Sequence, residues 1–157
     1  MAIVTIMGYP AAGKTSQVQS YLDQGFIRLN RDTHGGGIPA LHQELERRLQ
    51  EGEVNFVLDN TYPTIKSRSR LIELGKEHGV EVHCIHVNTS IDDAQVNACR
   101  RMMQKHGKIL SPEETKEISK TDPNSFPVAV QYRYHKIFEK PTIDEGFSNI
   151  EIVDFKR

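Results

Sequence analysis

Two kinds of segment alternate along the chain. Short apolar runs without a polar face are typical of strands that are buried on both sides of a parallel sheet. Longer segments, in which apolar residues recur every three or four positions, are typical of amphipathic helices. The predicted strands are residues 2–7, 26–29, 54–58, 80–87 and 150–155. The predicted helices are residues 15–24, 38–50, 65–78, 91–105, a helix that begins at 112, and 128–140.

Capping residues support these helix ends. Ser90 precedes one predicted helix, and Ser111 with Pro112 precedes another, as N-terminal caps do. Gly79 and Gly107 follow the last residues of two helices, where a left-handed C-terminal cap favours glycine. Because strands and helices alternate, we predict an α/β fold, with a mostly parallel central sheet, helices on both faces, and a single domain over residues 1–157.

The stretch GYPAAGKT, residues 8–15, lies between the first predicted strand and the first predicted helix. It matches G-x-x-x-x-G-K-[ST], the phosphate-binding loop, in the context that the motif requires. Lys14 is expected to reach the outer phosphates and Thr15 to ligate Mg²⁺. The pattern therefore predicts a P-loop NTPase fold that binds ATP or GTP with Mg²⁺. The predicted nucleotide-binding residues are Gly8, Tyr9, Pro10, Ala11, Ala12, Gly13, Lys14, Thr15 and Ser16.

Two aspartates follow predicted strands and should lie near this loop. Asp32 comes just after the second strand and is a candidate base for an acceptor hydroxyl, although an aspartate beside glycines 35–37 is equally typical of a turn. Asp59 ends the third strand, where a carboxylate commonly organises Mg²⁺ or its water, and where it can also only cap a turn.

The segment RRMMQKHGK, residues 100–108, is basic and contains no acid. An arginine that is brought against the transferred phosphate can raise the rate by ~10³ to 10⁵. Arg100 and Arg101, followed by Gly107 and a new helix start, are typical of a helical lid. We interpret Lys105 and Lys108 as a solvated helix face.

Composition adds limits to this interpretation. The net charge of -1 does not suit a protein that coats nucleic acid by bulk electrostatics, so a polynucleotide would need a local basic groove. No apolar run approaches the ~18 residues of a membrane span, and the residues before Gly8 are too few for a secretory signal. We therefore expect a cytoplasmic protein with no membrane contact. The candidate groove residues are Arg28, Arg31, Lys66, Arg68 and Arg70. The candidates for stacking on a terminal base are Tyr9 and Tyr62, although a tyrosine in a turn more often packs against its neighbours.

Four stretches carry a resemblance to a known family: GYPAAGKT, LNRDTHG, LDNTYP with SRSR after it, and KIFEKPTIDEGFSNIEI. In this order they resemble the 5′-hydroxyl polynucleotide kinases, in particular the kinase domain of the bifunctional polynucleotide kinase 3′-phosphatases. The resemblance implies that Asp32 is the general base, that Asp59 belongs to the acceptor and metal region, and that Arg31 lies at the acceptor entrance. It also implies a lid arginine, for which we favour Arg101 over Arg100.

Three functions stay open on the sequence. The favoured one is an ATP-dependent kinase for the 5′-hydroxyl end of DNA or RNA, with acceptor-binding residues Arg31, Asp32, Asp59 and Tyr62, and with any phosphatase or ligase partner on a separate chain. The second is a kinase for a sugar, nucleoside or antibiotic hydroxyl. The third is a nucleotide-binding switch that transfers no phosphate.

Overall fold

The computed structural model describes residues 1–155 and contains one five-stranded parallel sheet in the order β2-β3-β1-β4-β5. The strands are β1 (Ala2–Met7), β2 (Ile27–Leu29), β3 (Asn55–Asp59), β4 (Glu81–Asn88) and β5 (Asn149–Asp154). The helices are α1 (Lys14–Leu22), α2 (Arg31–His34), α3 (Gly37–Gln50), α4 (Ile65–His78), α5 (Ile91–His106), α6 (Pro112–Ile118) and α7 (Val128–Ile137), with a 3₁₀ turn at Ile143–Glu145. The predicted fold class is confirmed.

The central strands β1 and β3 bury both of their faces because the sheet is covered on both sides there, whereas the edge strand β5 is largely exposed. In β1, Ile3 and Met7 pack into the core beneath α3 and α4, whereas Val4 and Ile6 point to the opposite core, where Val18 of α1 packs. This alternation explains why β1 has apolar residues on both of its faces, with Thr5 as its one polar residue.

The parallel arrangement brings three loops to one edge of the sheet. Ile6 pairs with Asp59, and Met7 pairs with His86, so β1, β3 and β4 end at similar heights. The loops after β1, β2 and β3 therefore meet at the carboxyl edge, where ligands of open α/β sheets bind.

Some boundaries differ from the sequence prediction. The LNRDTHG segment, predicted as a loop, contains the short helix α2. Helix α1 ends at Leu22 rather than residue 24, and α7 ends at Ile137 rather than residue 140. After α7 the backbone becomes extended at Phe138, and the amide of Glu139 donates to the carbonyl of Pro63 at 2.7 Å. A tertiary contact therefore ends this helix.

Within residues 1–155, no helix is both long and apolar enough to cross a membrane.

Candidate active site

The phosphate loop is held by side chains from distant parts of the chain. Lys14 donates to the carbonyls of Gly8 (3.2 Å) and Tyr9 (2.9 Å). The carbonyls of the next three residues accept from Gln131 on Pro10 (2.9 Å), Asn97 on Ala11 (2.9 Å) and Thr89 on Ala12 (2.7 Å). These donors stand 121, 86 and 77 residues away in sequence, so no local signal indicates them. The contacts fix the shape of the loop before any phosphate binds.

Two loop positions have special backbone requirements. A Cβ on Gly8 would come within 2.9 Å of the carbonyl oxygen of Val87, so a larger residue would displace β4. Ala11 has φ 65, in the left-handed region, at a cost of about 1–2 kcal/mol for a residue with a Cβ. The hydrogen bond from Asn97 holds Ala11 in this conformation.

Burial favours the neutral form of the Lys14 side chain. The pKa of its ammonium is lowered from 10.5 to about 8, mainly by desolvation, and the positive charge of Arg101 acts in the same direction. The negative charges of Asp59 and Asp32 oppose this shift. These three charged side chains therefore lie within electrostatic range of Lys14.

This lowered pKa predicts proton uptake when a nucleotide binds. Near pH 9 the free protein holds Lys14 mostly neutral, and a phosphate anion beside it favours the charged form. Binding of ATP near pH 9 should therefore take up close to one proton, and binding near pH 7 should take up almost none. Titration calorimetry in two buffers of different ionisation enthalpy measures this uptake.

Lys14→Arg is the matched control, because a guanidinium stays charged at both pH values. The variant should bind nucleotide without the pH-dependent uptake. Equal uptake in the variant and the wild type would assign the proton to another group.

Asp32 is positioned by a helix cap. Asn30 at the end of β2 accepts hydrogen bonds from the amides of Asp32 (2.8 Å) and Thr33 (3.3 Å) and so begins α2. The Asp32 carboxylate is 39% exposed and lies 3.8 Å from the Arg31 guanidinium. Both side chains line the same cleft as Lys14, so Asp32 faces the cleft rather than the core.

Asp59 is tied into the same edge of the sheet. Arg28 donates to its Oδ2 at 2.5 Å, and Asn30 donates to its backbone carbonyl at 2.7 Å. The carboxylate is almost buried but still lines the cleft. Asn30 therefore connects the candidate base loop to the candidate metal carboxylate, a role that its position in NRD did not indicate.

The cleft has a volume of about 870 Å³ and lies between the phosphate loop, the α2 loop and the lid. We use "lid" for α5, α6, α7 and their connections. On the nucleotide side, Pro10 to Thr15 line the cleft, whereas Gly8, Tyr9 and Ser16 do not. On the lid side, Arg101 lines the cleft together with Arg133, which the sequence analysis missed, while Arg100 is exposed elsewhere on α5. The apolar lid residues in the wall are Phe126, Val130 and Ile137.

The two tyrosines expected to stack on a base point away from the cleft. Tyr62 is 1% exposed, with its hydroxyl 3.0 Å from His42 Nε2 and the two rings stacked. Tyr9 packs on Tyr134 and hydrogen-bonds to His135 on α7. The prediction of Tyr62 as an acceptor-stacking residue is therefore wrong, because the ring is committed to the core.

The predicted basic groove is only partly formed. Arg28 pairs with Asp59, and Arg68 is fully buried against Glu145, with Nε–Oε1 and Nη2–Oε2 distances of 2.6 and 2.9 Å. Arg70 makes ion pairs with three glutamates. Arg31 and Lys66 stay exposed.

Residues 1–155 contain no group of three histidine, cysteine or acidic side chains that could hold a metal alone. The Thr15 hydroxyl and the carboxylates of Asp59 and Asp32 nevertheless line one cleft. Oxygen ligands completed by water and substrate phosphates are what Mg²⁺ prefers, so the donor set fits that ion.

No protein-family model matches this sequence. The chain is 31% identical to the bifunctional polynucleotide phosphatase/kinase of Schizosaccharomyces pombe over 98% of its own length and 34% of that protein. It thus spans about a third of the length of the curated relatives that it matches. The resemblance to the polynucleotide kinases is confirmed.

Solved structures share the fold at low sequence identity. Kti12 of Chaetomium thermophilum in complex with ADP-AlF₃ superposes with a TM-score of 0.69 at 11% identity, covering 98% of this chain and 89% of Kti12. A fungal RNA kinase superposes with a TM-score of 0.65 at 10% identity, covering 99% of this chain and 75% of that kinase. These likenesses show that the chain shares the fold of these structures.

Proposed function

We propose that this protein is an ATP-dependent kinase that transfers the γ-phosphate to the 5′-hydroxyl end of DNA or RNA. The observation that carries the proposal is the placement of Lys14, Asp32 and Arg101 on one cleft, in a chain that is similar over almost its whole length to a polynucleotide phosphatase/kinase. The separate phosphatase or ligase chain expected from the sequence stays a prediction.

In this reaction the acceptor oxygen forms a bond to the γ-phosphorus, and the bond between that phosphorus and the β-phosphate oxygen breaks. Asp32 accepts the hydroxyl proton, and ADP leaves. Lys14 and the loop amides hold the triphosphate, while Arg101 neutralises charge on the group in transfer. Asn30 keeps the Asp32 carboxylate toward the acceptor through its cap on α2.

Thr15 and Asp59 are the residues that would hold Mg²⁺, Thr15 directly and Asp59 through water. Arg28 occupies Oδ2 of Asp59 and fixes the direction of the carboxylate, which suits an indirect contact. The ion would supply neutralisation of the phosphate charge when it is bound.

The direct test uses labelled ATP, Mg²⁺ and a panel of 5′-hydroxyl DNA and RNA oligomers beside common sugars and nucleosides. Label on the oligomers, with an apparent affinity that falls steeply as salt rises, is the expected result. Label on a sugar without salt dependence would favour the small-molecule kinase. No label on any acceptor, from protein that binds ATP normally, would favour a nucleotide switch.

Asp32→Asn tests the assignment of the base. The amide cannot accept the acceptor proton, so kcat should fall about 10²-fold, within the range for general base catalysis. The dissociation constant for ATP should stay unchanged, since Asn30 still caps α2 through the backbone. Asp144→Asn, at an exposed carboxylate outside the cleft, is the control and should keep wild-type kcat. Wild-type turnover in Asp32→Asn would remove Asp32 from the mechanism.

A further inference from the structure

A second groove lies beside the cleft, on the surface between α3 and α4. Its volume is about 500 Å³, a size that accepts a small organic ligand. Ile38 in the first turn of α3 lines both the groove and the cleft that contains Asp32. The two spaces therefore lie next to each other on either side of Ile38, and the groove contains none of the phosphate-loop residues. The residues that line it are Ile38, Pro39, His42, Gln43 and Glu46 of α3 and Lys66, Ser67 and Arg70 of α4, with Thr64 at the N-cap.

The groove has an apolar entrance. Ile38 and Pro39 form the wall next to the cleft, and His42 is held in place by its hydrogen bond to Tyr62. Burial lowers the pKa of His42 to about 4, so this side chain is neutral at physiological pH. Nucleobases have apolar faces that suit such a wall, and Gln43 offers an amide for a base edge.

The two ends of the groove carry different charged side chains. Lys66, in the first turn of α4, is exposed and has no ion-pair partner among residues 1–155. One turn further, Arg70 reaches across to Glu46 of α3, with an Nη2–Oε1 distance of 3.3 Å. This ion pair closes the far end, about 12 Å from Ile38 by the 1.5 Å rise of eight helical residues. Lys66 therefore lies at the end of the groove near the cleft, and the ion pair between Arg70 and Glu46 lies at the other end.

We propose that this groove binds the acceptor strand immediately behind its 5′ end, with a backbone phosphate against Lys66 and a base on the Ile38–Pro39 wall. The inference rests on the proposed kinase function, because Asp32 fixes where the terminal hydroxyl lies. The ion pair between Arg70 and Glu46 limits the contact to a short stretch of strand. A free nucleoside would leave the groove unused, so the groove favours a polynucleotide over a small molecule.

Lys66→Glu tests this inference on 5′-hydroxyl acceptors of increasing length, from a dinucleotide to an octanucleotide. For the longer acceptors, KM should rise about tenfold, the equivalent of one lost charged contact. The slope of log affinity against log salt should fall by about one. The value of kcat and the KM for ATP should not change. Pro39→Glu places a negative charge on the opposite wall and should raise the same KM.

Lys76→Glu is the matched control, because Lys76 is an exposed lysine on the same helix outside the groove. It should leave the KM unchanged at every length. If the wild type phosphorylates oligonucleotides while Lys66→Glu and Pro39→Glu keep its KM at all lengths, the groove inference fails and the kinase function stands. If the wild type labels no oligonucleotide, the kinase function itself fails.

Discussion

Replacing Arg101 with alanine is expected to lower kcat by about 10³-fold or more, the range for an arginine that stabilises a phosphoryl group in transfer. Arg101 is half-buried on α5 and lines the cleft with Lys14 and Asp32. Its charge is close enough to lower the pKa of Lys14. A cation in this position acts mainly on charge that develops in the transition state, so the KM for ATP should change much less than kcat.

Single-turnover kinetics with labelled ATP measure this effect. Arg101→Lys should restore only part of the rate, because an ammonium cannot make the bidentate contacts of a guanidinium. A second measurement separates catalysis from structure: without the charge of Arg101, the pKa of Lys14 should rise, and the proton uptake on ATP binding should shift to higher pH.

Arg100→Ala is the control for the same experiment. Arg100 is exposed and does not line the cleft, so this variant should keep wild-type kcat. An equal loss in both variants, or a loss below tenfold in Arg101→Ala, would contradict the assignment of Arg101 as the lid arginine.

The helical periodicity of α5 is enough to distinguish Arg101 from Arg100 by sequence alone, because the two side chains lie on different faces of the helix. The buried face of α5 is formed by Ala94, Ala98 and Met102, which recur every four residues. At 100° per residue, Arg101 falls beside this face, whereas Arg100 falls on the opposite side. The turn before Arg101 presents Asn97, which holds the carbonyl of Ala11. One face of α5 thus contacts both the loop and the cleft.

Elements that depend on local signals are predicted well. The apolar runs give all five strands to within one residue at each end. Helix α4 begins and ends where Thr64 and Gly79 indicate, because both caps are determined within a few residues.

Features that depend on distant partners are not predicted. Tyr62 follows a strand end, where it could stack on a base or pack, and only the fold shows that its hydroxyl hydrogen-bonds to His42, twenty residues earlier. Likewise Gln131 contacts Pro10 across 121 residues. Only the folded chain brings these donors and acceptors together, so the candidate site is predicted in its main residues and missed in its supporting contacts.

Arg68 connects separate sequence stretches that carry the family resemblance. It lies in SRSR, donates to the carbonyl of Tyr62 in LDNTYP, and pairs with Glu145 in KPTIDEGF. Its Nη2 also donates to the carbonyl of Glu139 at 2.9 Å. Two of the four stretches that carry the family resemblance, LDNTYP with SRSR and KIFEKPTIDEGFSNIEI, therefore meet at one buried guanidinium.

Arg68→Met is accordingly expected to lower the free energy of unfolding by about 3–5 kcal/mol, because it leaves a buried carboxylate and two carbonyls without their partner. Urea denaturation of the wild type and the variant measures the loss. Adding Glu145→Gln removes the uncompensated charge but keeps an acceptor for the amide of Thr142, so the double variant should be more stable than Arg68→Met alone.

Arg70→Met tests whether burial is the reason for this large effect. Arg70 stands two residues later in the same SRSR stretch and makes ion pairs with Glu46, Glu73 and Glu77, but its side chain is 38% exposed. Water screens exposed ion pairs, so Arg70→Met should be far less destabilising despite the larger number of partners. If both variants lower the free energy of unfolding equally, burial does not distinguish the two arginines, and the proposed junction at Arg68 is wrong. If only Arg68→Met does, the SRSR stretch combines one structural arginine with one surface arginine two residues apart on α4.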